Sequence, residues 1–346
     1  MCEPGAYPCA VSATGHDESR AHFPDVTLHV VSGKGGTGKT TVAAALAIAL
    51  ARGGRRTLLM EVEGRQGIAQ VFDSPPLPYQ ERKVCVAPGG GEVWALAVDA
   101  QEALLDYLET FYSMRGAGAA LRRLGAVDFA TTIAPGLRDV LLTGKAMEVV
   151  RRKQKKAANA YDAVVMDAPP TGRIAKFLSV TSEVSGLARV GPIHNHAEMV
   201  MSVMTAPSTA VHLVTLLEEM PVQETLDGVD DLRAHHLPVG GIVVNMTRPD
   251  LMSREQEDQA LTGTLPAADV RAALVRAGLG ASADSISTAL LAEAVDHAER
   301  AALERRERVR LDAAGVPVVA LPMLSDGVDL GGLYTLAHDL AAGGFA

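Results

Sequence analysis

"VVSGKGGTGKTTVAAALAIAL", residues 30 to 50, decides the fold. A β-branched run, a glycine-rich loop and an alanine-rich stretch follow one another without a gap. Gly33 to Thr40 fits G-x-x-x-x-G-K-[ST], a spacing with a physical meaning when a strand precedes it and a helix follows. "VTLHVVS", from Val26, supplies the strand, and "TTVAAALAIALAR" the helix, closed by Gly53 and Gly54. Gly33, Gly35, Gly36 and Gly38, with Thr37 among them, allow backbone N–H groups to turn inward around phosphates. The helix beginning near Lys39 adds its positive dipole end. Lys39 is expected to reach the β- and γ-phosphates, and the Thr40 hydroxyl to ligate Mg²⁺, with Thr41 carrying the loop into the helix. ATP and Mg²⁺ are therefore the expected cofactors. Lys34, a second lysine inside the loop, has no place in that minimal pattern.

The rest of the composition narrows the class. The chain has 346 residues, 48% of them hydrophobic, which is enough for a large core. Its net charge of -9 argues against a nucleic-acid groove, which shows a basic excess. The longest apolar run, Val42 to Ala51, is far short of the roughly 20 residues that span a bilayer. No basic n-region followed by an apolar stretch opens the chain, so a secretory signal is not expected. Cys2, Cys9 and Cys85 form no metal spacing, and a reducing cytoplasm is the simplest setting.

Residues 1 to 24 mix Gly, Pro, Ser, Asp and His without periodicity and read as a disordered tail, with order beginning at Val26. Further strands are expected at "TLLMEV" (57 to 62), "YDAVVMDAPP" (161 to 170), "AVHLVTL", "GGIVVNM" and "VPVVALP" (316 to 322). Residues 101 to 157 read as mostly helical, broken near Gly116 and at "APG" (134 to 136). Short apolar strands alternating with helices imply an α/β fold: a mostly parallel sheet with helices on both faces. Residues 25 to 346 are expected to form one domain with a small helical subdomain, from helical insertions at about 101–157 and 180–210. "RRKQKK" (151 to 156) reads as a solvated helix end.

Further motifs give Lys34 an explanation. "GKGGTGKTT" resembles the deviant Walker A loop, KGGxGKT, of the P-loop NTPase branch that includes partitioning ATPases, nitrogenase iron protein and the arsenite-pump/tail-anchored-protein-targeting ATPases. "VVMDAPPTGRIAKFL" (164 to 178) resembles the Walker B and switch II element of that last family, D-x-A-P-T-G-H-x-x-x-x-L. The resemblance spans about residues 26 to 340 and implies a P-loop fold, Mg-ATP and a sandwich dimer. Within the dimer Lys34 would cross to the partner's nucleotide; a solvent-facing loop lysine is the alternative reading. Asp167 would hold Mg²⁺ through a water, and the Gly172 backbone would sense the γ-phosphate. The resemblance also places Glu218 at a nucleotide-contacting position, Asn245 at the adenine, and Pro322 in the loop closing over the base.

The chain departs from that family at switch I. The family pattern S-T-D-P-A-H is replaced by "EVEGRQ", which puts Glu63 where an aspartate would orient the attacking water. A longer carboxylate shifts that water, and about 1 Å of misplacement can cost about a hundredfold in rate. Arg173 and Ile174 replace the family's His-Thr in switch II. No C-x-x-C occurs, so the zinc clasp of the eukaryotic targeting dimer is absent, as is a thiolate cluster for arsenite. "HNH" (194 to 196) would put two imidazoles on one face of a strand, but no third ligand is near. Met199, Met201 and Met204 lie where the family inserts client-binding helices, and read as core or interface.

The reading that follows is a cytoplasmic, dimeric Mg-ATPase that acts as a nucleotide-driven switch. It would reach a membrane only peripherally, through a partner. Homodimer and heterodimer with a related ATPase stay open, as does a hydrophobic client or membrane protein. The alternative is a weakly hydrolysing structural subunit of a heterodimer. A membrane-cycling positioning ATPase is disfavoured because "TLAHDLAAGGFA" lacks a basic amphipathic face.

Overall fold

The computed structural model describes residues 21–112, 135–179, 192–325 and 327–346. In chain order the strands are β1 (Leu28–Gly33), β2 (Arg56–Glu61), β3 (Arg82–Val86), β4 (Glu92–Ala97), β5 (Ala163–Asp167), β6 (Thr209–Thr215), β7 (Val239–Thr247) and β8 (Val318–Pro322). They form one sheet in the order β3-β4-β2-β5-β1-β6-β7-β8, parallel except for the antiparallel pair β3 and β4. The chain winds to one side of β1 and later to the other. The change of direction therefore falls at β1, whose carboxyl end carries the glycine loop, the usual ligand position in such sheets.

Both sheet faces are covered, which is why the central strands read as near-continuous apolar runs. On one face α1 (Lys39–Ala51) and α11 (Leu330–Ala342) pack against each other and against the sheet, with the short α2 (Gly67–Val71) beside α1. Residues 42 to 51 of α1 are all buried, and the alanines allow close approach on every side. The other face is covered by α4 (Pro135–Gln154), α5 (Thr171–Leu178) and α7 (Glu219–Ala234). Outside this layer α3 (Ala100–Tyr112) and α6 (Pro192–Met204) pack on α4. These helices occupy the described parts of the two expected insertions. The expected break at Gly116 and residues 180–191 lie outside the described residues, as do residues 1–20 of the tail.

The structure differs from the sequence reading in four places. Residues 21–24 are packed, not free: His22 N–H donates to the Gly344 carbonyl, and Phe23 stands edge-on to His212 with centroids 4.9 Å apart. "HNH" lies on helix α6 rather than a strand, so His194 and His196, two positions apart, cannot share a face. The hairpin β3–β4 was not expected; an edge strand with one exposed face gives only a short alternating pattern. Nor was the arm formed by α8 (Arg254–Leu261), α9 (Ala267–Arg276) and α10 (Ala283–Asp312). Its helices are mostly exposed and carry a weak apolar stripe. Glu257 of α8, 2% exposed, is held by Arg305 of α10 at 2.5 Å. No helix among the described residues is long and apolar enough to cross a membrane.

Candidate functional site

The loop between β1 and α1 is built on two close approaches. A Cβ at Gly33 would collide with the Val214 carbonyl of β6, a backbone atom that cannot yield. Gly38, the residue before α1, sits at φ 83°, and a Cβ there would strike the Asn245 amide. Thr37 N–H and its hydroxyl both donate to the Lys34 carbonyl, at 3.3 and 2.9 Å, closing the turn. Gly35 and Gly36 form its exposed tip. The first turn of α1 presents Lys39, Thr40 and Thr41. Lys39 is only 9% exposed and has no hydrogen bond or ion pair among the described residues. A buried ammonium without a partner is costly unless an anion completes it.

Asp167 ends β5, and its Oδ2 accepts the Thr40 hydroxyl at 2.6 Å. The turn after it is tied to the loop's own strand, for Ser32 Oγ donates to the Pro169 carbonyl at 2.5 Å. Burial pushes the Asp167 carboxyl up to about 6, against the opposing effects of the Thr40 hydrogen bond and the Lys39 charge; Glu61 and Glu63 push it further the same way. A desolvated carboxylate beside a threonine hydroxyl, with two more carboxylates near, is a donor set suited to a hard divalent cation. Thr40 and Asp167 thus fit Mg²⁺. Gly172 lies exposed in the first turn of α5, facing away from any contact.

Asp167→Asn should stabilise the nucleotide-free chain by about 1–3 kcal/mol. The folded-state pKa is raised, so the folded state binds this proton more tightly than the unfolded chain does. The resulting penalty is complete above about pH 6 and disappears below the ordinary aspartate value of 3.8. Urea unfolding of both proteins near neutral pH tests this; equal midpoints would refute the assignment of a desolvated charge.

Switch I holds a residue that the sequence reading passed over. Glu61 ends β2, directly beside Asp167 in the register of the two strands, and is 2% exposed. Its two oxygens accept Gln66 N–H at 2.5 Å and Ile68 N–H at 3.1 Å, anchoring the loop to the start of α2. Gln66, in left-handed backbone (φ 57°), clasps Leu77 in both directions with its amide. The strand-end acid in "MEVEG" was the available signal. Glu63 lies between these anchors with its carboxylate 3.7 Å from Arg65. Gly67 rests on the Thr40 side chain, 3.3 Å from where a Cβ would stand.

On the other side of the loop, Asn245 near the end of β7 is 4% exposed, and its amide donates to the Thr37 carbonyl at 2.9 Å. It opens onto a cleft of about 990 Å³ that reaches α10, with Glu218, Arg248, Arg300, Leu303 and Met323 among its lining. Glu218 is the residue preceding α7, and Pro322 ends β8 next to Met323, whose N–H donates to the Thr247 carbonyl. The structure thus brings Asn245 and Glu218 to one cleft, with Pro322 beside it. Lys34 Nζ meets Glu224 of α7 at 2.9 Å, a contact the sequence reading did not anticipate.

The other flagged groups stand apart from this site. His196 packs edge-on to Tyr107, and burial lowers its pKa; His194 faces Glu198 at 3.3 Å. Met204 is buried, and Met199 and Met201 are half-buried. Cys85 is buried and burial pushes its thiol up to about 12, which disfavours a thiolate ligand. Among the described residues no cluster of three or more His, Cys, Asp or Glu is positioned as a metal site.

A parallel sheet whose central strand runs through a glycine loop into a buried helix, with a buried lysine in that loop and an aspartate on the adjacent strand, defines a P-loop nucleoside triphosphatase. The chain belongs to the anion-transporting ATPase family, whose profile matches residues 26–208. It is 54% identical over 338 residues to ATPase BagA of Mycobacterium tuberculosis H37Rv, covering 96% of this chain and 99% of that protein. More distant relatives include ATPase GET3 of Kluyveromyces lactis, 26% identical over 62% of this chain and 70% of that one. The arsenical pump-driving ATPase of Acidiphilium multivorum is 25% identical, over 87% of this chain and 52% of its own.

Proposed function

We propose that this chain binds and hydrolyses Mg-ATP and works as a nucleotide-driven switch between states of a dimer. The observation that carries the reading is Lys39: buried in a glycine loop, with no hydrogen bond or ion pair among the described residues. A polyphosphate is the anion this geometry suits. Lys39 would lie against the β- and γ-phosphates while the loop N–H groups enclose them. Thr40 and, through a water, Asp167 would hold Mg²⁺, which when bound neutralises charge developing between the β- and γ-oxygens. Gly172 would meet the γ-phosphate with its N–H. Asn245, with one N–H committed to Thr37, keeps its carbonyl oxygen and second N–H for a purine edge, while Glu218 and Pro322 would border the base.

In this reading the Lys34–Glu224 pair is a latch. Within one chain it holds Lys34 away from its own phosphate site; on dimerisation Lys34 would exchange Glu224 for the partner's nucleotide. Both side chains are about a third exposed, so the pair itself contributes little stability and can be exchanged cheaply. Lys34→Ala is expected to leave ATP affinity of the single chain near the parent value and abolish ATP-dependent association. Glu224→Gln should favour association. Light scattering with ATP, ADP and a transition-state mimic checks both; parent-like association of Lys34→Ala in every state would reduce it to a surface lysine.

Glu63 would orient the attacking water. Glu63→Gln should then lower turnover by about a hundredfold with little change in ATP affinity, as loss of a general base commonly does. The alternative reading, a nucleotide-holding subunit of a heterodimer with a related ATPase, draws support from the fixed switch I loop, pinned by Glu61 and Gln66. Turnover measured with and without the native partner separates the two: an unchanged rate in Glu63→Gln in both conditions favours the holding subunit. The protein would act in the cytoplasm, meeting a membrane or a hydrophobic client only through its partners.

A further inference from the structure

The basic run at residues 151–156 takes no part in the nucleotide site, and its members do not share one fate. Arg152 is paired with Glu81 at 2.6 Å and Glu148 at 2.9 Å, and Lys153 donates to the Asp162 carbonyl. Arg151 is different. Its guanidinium lies 3.2 Å from the Met199 sulfur and 3.8 Å from that of Met147, and no carboxylate reaches it among the described residues. Thioether sulfur is a weak acceptor that leaves a guanidinium charge uncompensated. Lys155 is exposed and has no ion pair among the described residues.

Arg151 and Lys155 both line a cavity of about 500 Å³ between α3, α4 and α6, away from the glycine loop. Leu141, Met147, Met199 and Tyr107 supply the apolar part of its lining. The four cations of its lining are set against Asp106 and Glu148, which Lys145 and Arg152 already hold, and against Glu81, which pairs with Arg152 from outside the lining. His196 adds no charge, since burial lowers its pKa. This is a local positive excess in a chain of net charge -9. The last-turn carbonyls of α4 give Arg151 a weakly favourable field, but none is within hydrogen-bond distance of its guanidinium.

We propose that this cavity binds an amphipathic anion: an acyl chain against Leu141, Met147 and Met199, with its carboxylate against Arg151 and Lys155. The volume lies within the ordinary range for small-ligand pockets. A purely apolar occupant would desolvate the Arg151 charge without compensating it, which is unfavourable. A carboxylate supplies two oxygens in the geometry that a guanidinium fork prefers. The site is independent of the ATP reading.

The test uses the full chain, with dodecanoate below its micelle concentration, followed by calorimetry. One saturable site is expected. Dodecanol and dodecyltrimethylammonium should bind at least about tenfold more weakly, and inorganic phosphate not measurably. Lys155→Gln, at an exposed position, and Arg151→Gln should each weaken dodecanoate by about tenfold while Mg-ATP affinity stays at the parent value. If Arg151→Gln does not fold, Lys155→Gln decides. Dodecanol binding as tightly as dodecanoate, parent-like affinity in the variants, or no saturable site would each overturn the proposal. So would an apolar helical peptide that occupies the site while dodecanoate does not.

Discussion

Lys39→Ala is expected to weaken Mg-ATP binding by about thirtyfold to several thousandfold, the range of roughly 2–5 kcal/mol seen when one member of a buried charge pair is removed. The loop's other lysine, Lys34, is already paired with Glu224. The same substitution should leave the nucleotide-free protein folded and close to the parent in stability. Lys39 has no hydrogen bond or ion pair among the described residues to lose, and the one cost is the loss of its charge near the Asp167 carboxylate. That combination, lost binding with a retained fold, distinguishes a ligand-binding lysine from a structural one. Calorimetric titration with Mg-ATP and thermal unfolding without nucleotide test the two halves. Equal affinities would remove the phosphate assignment; a collapse in melting temperature would mean that Lys39 supports the loop itself.

The second large effect is acid sensitivity from the middle of the sheet. His29 of β1 and His212 of β6 are stacked, with His29 Nδ1 3.0 Å from His212 Nε2. Gly241 N–H donates to His212 Nδ1, so that nitrogen is bare. His212 must therefore carry its proton on Nε2 and donate it to His29, whose own proton lies on Nε2. A further proton on either ring would oppose two N–H groups or break the Gly241 contact. Burial lowers the His29 pKa to about 3, and His212 is pushed down by burial and by His29. The folded pKa is depressed, so the unfolded chain binds more protons as pH falls below 6.5. Stability is then complete above that value and declines toward pH 3. His29 alone accounts for about 2 kcal/mol by pH 5, at about 1.4 kcal/mol per pH unit, and His212 adds to the slope. Urea midpoints should fall between about pH 6.5 and pH 5, offset in part by the relief of the Asp167 penalty below about pH 6, and a His29→Leu/His212→Leu double variant should remove that fall. A parent midpoint that does not move over this range would contradict the account.

The central strands and the loop were legible because their physics is local. "VTLHVVSGKGGTGKTT" fixes a buried strand, a turn needing glycine, and a helix start within a few consecutive residues. Asp167 was legible for the same reason, as the acid that ends an apolar run. The edge hairpin β3–β4 and the arm α8–α10 were not, since each depends on being exposed on one side and so carries little periodic signal. "HNH" was misread because a short stretch of mixed polarity does not distinguish a period of 2 from one of 3.6.

By itself the sequence determined the fold class, the glycine loop and the positions of six of the strands along the chain. Those rest on backbone propensity and on spacing between near neighbours. Only the tertiary structure decided which groups meet across long separations. Glu61 lies beside Asp167, Lys34 meets Glu224, and His29 stacks on His212 because of strand order and register. Residues 183 apart become hydrogen-bond partners only once β6 lies next to β1. Whether a lysine is buried without a counter-ion is likewise a property of what packs around it. In this chain that separates Lys39, inside the loop and unpaired, from Lys34, at its rim and already held.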